Sequence, residues 1–106
     1  MENELEITIM QLITHAGDAR SLAIEAIRSA REGNFEEADR LIATCNEKMD
    51  EAHQYQTNLI FSETSGNAVP ISLLMIHAQD HVMNAMTIKD MAVEMIATMK
   101  KDKGVI

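Results

Sequence analysis

Helical spacing brings four polar side chains together in the last third of the chain. His77 lies three residues before Asp80 and four before His81, so a helix places all three on one face. Asn84 continues the same strip, and the residues around it are Leu, Met, Ile, Val and Ala. A polar strip in an apolar helix costs free energy unless a partner, a metal or a ligand satisfies its groups. The strip is therefore the first candidate for a functional site.

His77 is a candidate nucleophile for phosphoryl transfer. A neutral imidazole attacks phosphorus when one ring nitrogen is free and the other is held by a hydrogen bond. Asp80 lies one helical turn further on and His81 lies beside it, and the apolar surroundings would restrict solvent. The alternative is a histidine that serves only the surface or the core of the fold.

Asp80 admits two interpretations. In the first, its carboxylate orients a histidine by accepting an N–H hydrogen bond. In the second, Asp80 lies on the symmetry axis of an oligomer, where several copies of one carboxylate cannot all stay ionised without protons or a cation. Mg²⁺, which prefers oxygen ligands, is the natural cation for such a site.

Other residue clusters match known chemistry less well. His15 lies near Asp18, and Asp50 precedes His53 by three residues, a spacing found in half of a di-iron site. A complete di-iron site needs two Glu-x-x-His motifs and two further Glu, which this chain lacks. The only cysteine, Cys45, excludes an internal disulfide and falls on an apolar stripe, so we expect its side chain to be buried.

Composition narrows the class of protein. The net charge is −8 and the basic residues form no stripe, so the chain lacks the surface that nucleic-acid phosphates require. No apolar run reaches the length of a membrane span, and the acidic start of the chain has no signal-peptide pattern. We therefore expect a cytoplasmic protein with no nucleic-acid partner and no direct membrane insertion.

Two breaks divide a chain that otherwise favours helix, with one Pro, four Gly and abundant Ala, Met, Leu, Ile and Glu. At the first break, Gly33 suits the left-handed end of a helix, and Asn34 followed by Glu37 forms a capping pattern. At the second break, Pro70 follows the run Ser-Gly-Asn-Ala-Val and suits the first position of a helix.

We predict an all-α protein with one domain over residues 1–106 and helices near 4–31, 35–63 and 70–101. Short loops between long helices imply an up-down-up three-helix bundle. Each of the first two helices carries one apolar stripe. These stripes are Leu5, Ile9, Leu12, Ala16, Ala19, Ala23, Ala26 and Ala30 in the first helix, and Phe35, Ala38, Ile42, Cys45, Met49, Ala52 and Leu59 in the second.

The third helix is apolar on nearly all sides, and a helix of that kind is buried on nearly all sides. Two neighbouring helices of one small chain do not cover it, so we predict self-association through the third helix. Its predicted heptad-like core seam is Ile71, Leu74, Ala78, His81, Ala85, Ile88, Ala92, Met95 and Met99.

Three segments resemble the lactose/cellobiose (N,N'-diacetylchitobiose)-type enzyme IIA components of the bacterial phosphoenolpyruvate-dependent sugar phosphotransferase system. They are residues 73–86 with the run His-Ala-Gln-Asp-His, residues 13–21 in the first helix and residues 35–38 in the second. The resemblance extends over essentially the whole chain and shows no departure at the key positions.

This resemblance implies that three-helix protomers assemble as a homotrimer of nine helices. It also implies that His77 is the residue that becomes phosphorylated. By the same resemblance, Asp80 is a buried carboxylate that meets its symmetry mates around a divalent metal, with Mg²⁺ as the expected ion. Gln79 and His81 are then neighbours of the phosphoryl group that bind its oxygens.

The resemblance implies protein partners as well. The phosphoryl donor is the histidine-containing phosphocarrier protein, and the acceptor is a cysteine of the cognate IIB component. A disaccharide such as lactose, cellobiose or chitobiose is then phosphorylated during uptake through the membrane-embedded IIC component. Phosphoryl transfer requires mainly positioning and charge stabilisation, and a rigid helix supplies the positioning. A protein with no substrate pocket of its own can do this work, because both of its substrates are partner proteins.

Two other classes of function remain open at this point. A histidine phosphotransfer module of a two-component relay takes its phosphoryl group from an aspartyl phosphate, and such a module is typically a monomeric four-helix bundle. A non-catalytic helical assembly protein would leave every partner reaction intact when His77 is replaced by alanine.

Overall fold

The computed structural model describes residues 4–105 as three long helices that run up, down and up. The helices are α1 (Glu4–Arg31), α2 (Phe35–Thr64) and α3 (Leu73–Asp102), and no strand occurs within the described range. None of these helices is both long and apolar enough to cross a membrane. Residues 1–3, part of the acidic start considered above, and residue 106 lie outside the described range. The predicted up-down-up bundle is confirmed.

The turn between α1 and α2 forms as its sequence predicts. Gly33 has a φ of 85°, a left-handed conformation that glycine reaches without strain. The N–H of Gly33 donates to the carbonyl of Ala30 at 2.9 Å, which ends α1. The side chain of Asn34 then accepts a hydrogen bond from the backbone N–H of Glu37 at 3.3 Å and caps α2.

The helix that carries the polar strip begins three residues later than predicted. Pro70 is the predicted first residue, but α3 starts at Leu73 and Ser72 is its N-cap. The hydroxyl of Ser72 accepts a hydrogen bond from the backbone N–H of Met75 at 3.1 Å. The first N–H groups of a helix lack partners within the helix, so a side-chain oxygen stabilises this end. Proline is tolerated there but offers no such acceptor.

Alanines of α1 lie at the centre of the bundle. Ala16, Ala19, Ala23 and Ala26 are fully buried, as their stripe predicts, whereas Leu5 is half-buried. Their small side chains let α1 pack against both other helices, while α2 and α3 contact each other less extensively. The buried residues of α2 are Ala38, Leu41, Cys45, Met49 and Ala52.

The inward face of α3 differs from the predicted seam. Val82 is buried next to the predicted His81, which is half-buried, and Ile96 is buried next to the predicted Met95, which is 42% exposed. Ala78, Ala85 and Ala92 are buried as predicted, and the buried set keeps the spacing of three and four residues. The other buried side chains lie four residues after a seam position instead of three, so the packed face is rotated to the other side of these alanines. The buried residues of α3 are Met75, Ala78, Val82, Ala85, Ala92 and Ile96.

The opposite side of α3 exposes apolar side chains. Leu73 is 83% exposed, and Ile76, Met83 and Met91 are 50%, 52% and 56% exposed. The other two helices of the chain therefore leave much of α3 uncovered, as its apolar composition predicts. We call this side the outer face of α3; it comprises Leu73, Ile76, Asp80, Met83, Thr87 and Met91.

Candidate functional site

The two histidines of the polar strip contact each other. The Nε2 atom of His81 lies 3.0 Å from the Nε2 atom of His77, within hydrogen-bond distance. The ring centroids are 4.5 Å apart and the ring planes are nearly perpendicular, at 88°. The predicted grouping of these residues on one face of a helix is therefore seen in the structure.

Packing of α3 against the bundle sets the direction of this pair. Ala78 and Val82, each next to one of the histidines in sequence, are fully buried. Because successive residues of an α-helix are rotated by about 100°, burial of these two places both histidines at the edge of the buried face. His77 is exposed and His81 is half-buried. A partner protein can therefore reach the ring of His77, whereas packing holds the ring of His81 more firmly.

Gln79 lies on another side of α3. Its side-chain oxygen accepts a hydrogen bond from the amide nitrogen of Gln56 in α2 at 2.8 Å. Two residues along a helix correspond to a rotation of about 200°, so Gln79 and His77 point in different directions. Within one chain Gln79 therefore belongs to the α2–α3 contact, and its contact with a phosphoryl group stays a prediction. Nothing in the sequence singled out Gln56 as its partner.

Asp80 lies on the outer face of α3, at the edge of an apolar groove. The groove has a volume of about 300 Å³ and separates the end of α2 from the start of α3. Within residues 4–105, no hydrogen bond joins Asp80 to His77 or His81, so His81 takes the orienting contact that we considered for the carboxylate. The lining residues are Leu59, Ile60, Glu63, Val69, Ile71, Met75, Ile76, Gln79 and Asp80.

A single chain does not assemble a metal site around Asp80. In the described part of the chain, no group of three or more His, Cys, Asp or Glu side chains is placed to hold a metal ion. Mg²⁺ demands near-octahedral oxygen coordination and is usually bound through one or two carboxylates, with waters completing the shell. Asp80 fits such a site only if other copies of the chain bring further carboxylates to it. The exposed position of Asp80 on the outer face of α3 is compatible with that arrangement.

His15 lies apart from the pair, between α1 and α2. Its Nε2 atom is 3.3 Å from a carboxylate oxygen of Glu51, and its ring stacks on Tyr55 with centroids 5.9 Å apart. The side chain of His15 is 14% exposed. The predicted neighbourhood of His15 and Asp18 therefore gives a packing contact with α2 rather than a second exposed nucleophile.

Cys45 is buried, as its position on the apolar stripe predicts. Its thiol is fully enclosed and donates a hydrogen bond to the carbonyl of Ala19 at 3.2 Å. Burial raises the pKa of the Cys45 thiol, which disfavours the reactive thiolate. Cys45 therefore contributes to the core and not to the candidate site.

Known proteins match this chain over nearly its whole length. The model of the family described as "PTS system, Lactose/Cellobiose specific IIA subunit" matches residues 7–100, which include all four residues of the polar strip. The chain is 48% identical over 101 residues to the lichenan-specific phosphotransferase enzyme IIA component of Bacillus subtilis, covering 95% of this chain and 92% of that protein.

Solved structures of related proteins share the fold. The cellobiose-specific enzyme IIA of the phosphotransferase system from Bacillus anthracis is 45% identical, with a TM-score of 0.94 over 98% of this chain and 95% of that chain. The IIA(Chitobiose) protein of the N,N'-diacetylchitobiose branch of the Escherichia coli phosphotransferase system was solved in complex with HPr. It is 35% identical, with a TM-score of 0.82 over 96% of this chain and 99% of that chain.

Proposed function

Because the chain belongs to the lactose/cellobiose-specific IIA family of the sugar phosphotransferase system, we propose that it carries a phosphoryl group on His77. The observation that carries this proposal is an exposed imidazole whose ring nitrogen is contacted by His81 at 3.0 Å. An exposed ring admits the donor and acceptor proteins, and a contact from its own helix orients it. Such positioning is most of what phosphoryl transfer requires.

The proposed donor is the histidine-containing phosphocarrier protein, HPr. In the first step, a bond forms between phosphorus and a ring nitrogen of His77, and the bond between phosphorus and the donor histidine breaks. In the second step, the thiolate of a cysteine on the IIB component attacks phosphorus, and the electron pair returns to His77. The relative solved with HPr supports the choice of donor.

The proposed setting is the cytoplasm, where the IIB component passes the phosphoryl group to a sugar entering through the IIC permease. The sugar would be a disaccharide of the kind named for the relatives, such as lactose, cellobiose or chitobiose. The chain itself needs no sugar pocket in this scheme, because both of its reaction partners are proteins.

We further propose that three copies associate through the outer face of α3. Four large apolar side chains on this face are at least half exposed in a single chain. A contiguous apolar surface of this kind marks a contact with another chain, because its removal from water stabilises the complex by roughly 25 cal/mol per Å². The trimer of nine helices that the sequence resemblance implies would cover it.

Asp80 would meet its two symmetry mates at the centre of this trimer. Three converging carboxylates repel each other, so a divalent cation such as Mg²⁺ would lower the cost of bringing them together. The cation would supply charge neutralisation and cross-link the three copies; the phosphoryl steps at His77 do not run through it. Support for this arrangement is the position of Asp80 between the exposed Ile76 and Met83 on the outer face.

The test is incubation of the chain with phosphoenolpyruvate and the general phosphotransferase proteins, followed by mass spectrometry. We expect one phosphoryl group per chain, labile in acid, stable in base, and located on His77. Omission of HPr should prevent labelling, which separates this donor from other phosphoryl sources. A label located on His15, His53 or His81, or no label at all, would contradict the proposal.

A further inference from the structure

We propose that Gln56 of α2 is a positioning residue for phosphoryl transfer. Its amide N–H holds the side-chain oxygen of Gln79, so that Gln79 presents its N–H groups, and not its oxygen, to a phosphoryl group. Gln56 acts through Gln79 and touches neither the phosphoryl group nor His77. This role rests on the proposed function, because it belongs to the same reaction at His77.

The direction of a glutamine amide decides what it can bind. One end is an oxygen that only accepts hydrogen bonds, and the other end is a nitrogen that carries two N–H donors. Phosphoryl oxygens accept hydrogen bonds, so only the nitrogen end of Gln79 can bind them. A rotation of this amide by half a turn would bring its oxygen toward the phosphoryl oxygens and repel them.

Two methionines of α3 fix the direction of both amides. The side-chain nitrogen of Gln56 lies 2.8 Å from the oxygen of Gln79 and 3.9 Å from the sulfur of Met83. The side-chain nitrogen of Gln79 lies 3.8 Å from the sulfur of Met75. A thioether sulfur is a weak acceptor and never a donor, so it favours an amide nitrogen beside it over an amide oxygen. Turning both amides together would keep their mutual hydrogen bond but lose both contacts with sulfur.

This arrangement leaves one donor of Gln79 free for a ligand. One of its two N–H groups contacts Met75, and the other makes no hydrogen bond within residues 4–105. Gln79 is half-buried and lines the groove between the end of α2 and the start of α3, beside Asp80. Gln79 therefore offers its remaining N–H at an opening that another copy of the chain can enter.

The proposed trimer would give this donor its target. His77 and Gln79 lie on opposite flanks of the outer face, because a helix rotates them from Asp80 by about 60° and about 100° in opposite directions. In a ring of three copies each contact is head-to-tail, so one flank of α3 meets the opposite flank of the next copy. Gln79 of one copy would then approach His77 of its neighbour, which it does not approach within one chain.

Restraint of Gln79 by α2 should raise the rate of transfer. A free glutamine side chain samples several rotamers and both amide directions, and it loses that freedom when it binds. The hydrogen bond from Gln56 removes much of this freedom before the reaction starts. A donor already aimed at the place where charge develops stabilises the transition state without reorganisation. The bonds to phosphorus that form and break are those of the two steps above, and no proton leaves either glutamine.

The first measurement is the hydrogen bond in the resting protein. In protein labelled with ¹⁵N and ¹³C, a scalar coupling should join the amide nitrogen of Gln56 to the amide carbon of Gln79. Gln54→Ala, which removes an exposed glutamine of the same helix, should leave this coupling in place. Absence of the coupling in the wild type, or a coupling from the nitrogen of Gln79 to the carbon of Gln56, would overturn the proposal.

The second measurement is the rate constant of phosphoryl transfer from HPr to His77. Loss of an aimed donor costs about 10²- to 10³-fold, so Gln56→Ala, which only frees the donor, should lower the rate constant by roughly 3- to 10-fold. Gln56→Glu should lower it further, by roughly 10- to 100-fold, because a carboxylate only accepts and would draw the N–H groups of Gln79 toward itself. This order is diagnostic, since a packing role predicts that glutamate, which has the shape of glutamine, is tolerated better than alanine.

Three further variants control for charge, for packing and for independence from Gln79. Gln54→Glu adds the same charge at an exposed position of α2 and should react like the wild type. Gln56→Met keeps a long side chain without an amide; it should match Gln56→Ala and provides the test if Gln56→Glu does not fold. In a chain that carries Gln79→Ala, Gln56→Ala should have no further effect, because the donor that it orients is gone.

The outcomes separate this role from the function on which it rests. A wild-type chain that is not labelled on His77 contradicts the proposed function. A labelled wild type, together with Gln56→Met at the wild-type rate or Gln56→Glu faster than Gln56→Ala, overturns only the role of Gln56. An effect of Gln56→Ala that keeps its size in the Gln79→Ala chain overturns that role as well.

Discussion

Two segments of the chain share the local sequence His-Ala-x-Asp but lie in different surroundings. The first begins at His15 in α1 and the second at His77 in α3. In both segments the alanine is fully buried and the aspartate is exposed. They differ because a neighbouring helix covers the first histidine and leaves the second exposed.

His15 faces α2, where Glu51 and Tyr55 contact its ring and its side chain is 14% exposed. His77 is exposed, and its ring contacts a residue of its own helix, His81. A partner protein can reach the second histidine far more readily than the first. Reactivity therefore depends on what packs against the helix, because the four-residue pattern itself is the same in both segments.

The largest expected effect is on labelling by phosphoenolpyruvate and the general phosphotransferase proteins. His77→Ala should lose the label completely, because it removes the nucleophile. His15→Ala should be labelled on His77 like the wild type, since His15 contacts α2 and not the candidate site. Mass spectrometry of each variant gives the extent and position of the label. A label that survives His77→Ala would break the distinction between the two histidines.

The next effect concerns the two aspartates and the association of the chain. Replacement of a buried ionic cluster by apolar groups is often neutral or stabilising. If Asp80 lies at the axis of the proposed trimer, Asp80→Leu should therefore keep that trimer and make it insensitive to chelator. Asp18→Leu, the matched change in the other segment, should leave a trimer that chelator loosens as in the wild type. Sedimentation with and without chelator measures both.

Two results would contradict the proposed position of Asp80 at a trimer axis. One is a wild type that sediments as a monomer. The other is an Asp80→Leu protein that dissociates while Asp18→Leu does not.

A smaller effect is expected on the free energy of unfolding, where replacing His15 should matter more than replacing His77. His15→Ala should lower the free energy of unfolding by about 2 kcal/mol, because it removes a stacked, largely buried ring and leaves a cavity beside Tyr55. His77→Ala should change it by less than about 0.5 kcal/mol, since the ring is exposed. Urea denaturation of both variants at one protein concentration is the measurement, because association couples stability to concentration. Equal losses would mean that the two histidines are packed alike.

The smallest effect concerns the caps of the helices. Ser72→Ala and Asn34→Ala should each cost about 1 kcal/mol, because each removes the side-chain oxygen that accepts a backbone N–H. Ser72→Ala alone should speed hydrogen exchange at the first turn of α3, which precedes His77. Asn34→Ala should instead affect the start of α2. Exchange that rises equally near His77 in both variants would show that the cap of α3 does not hold this site.

Much of the fold follows from local sequence. Gly33 and Asn34 mark the first turn because a left-handed residue and a capping side chain act over only a few residues. The helix α3 starts at Leu73 and not at the predicted Pro70, because the hydroxyl of Ser72 accepts a backbone N–H of the first turn and a proline side chain cannot. The alanine stripe of α1 was predicted because its periodicity matches one helix face.

The sequence by itself determined three helices, the grouping of His77 with His81, and an excess of apolar surface on α3. These depend on helix propensity, spacing along one helix and composition, all of which are local. The tertiary structure decided that His15 packs against Glu51 and Tyr55, that Gln79 bonds to Gln56, and that Asp80 lies on the outer face of α3. These contacts depend on how each helix is rotated against its neighbours, and that rotation is set by the burial of residues distant in sequence.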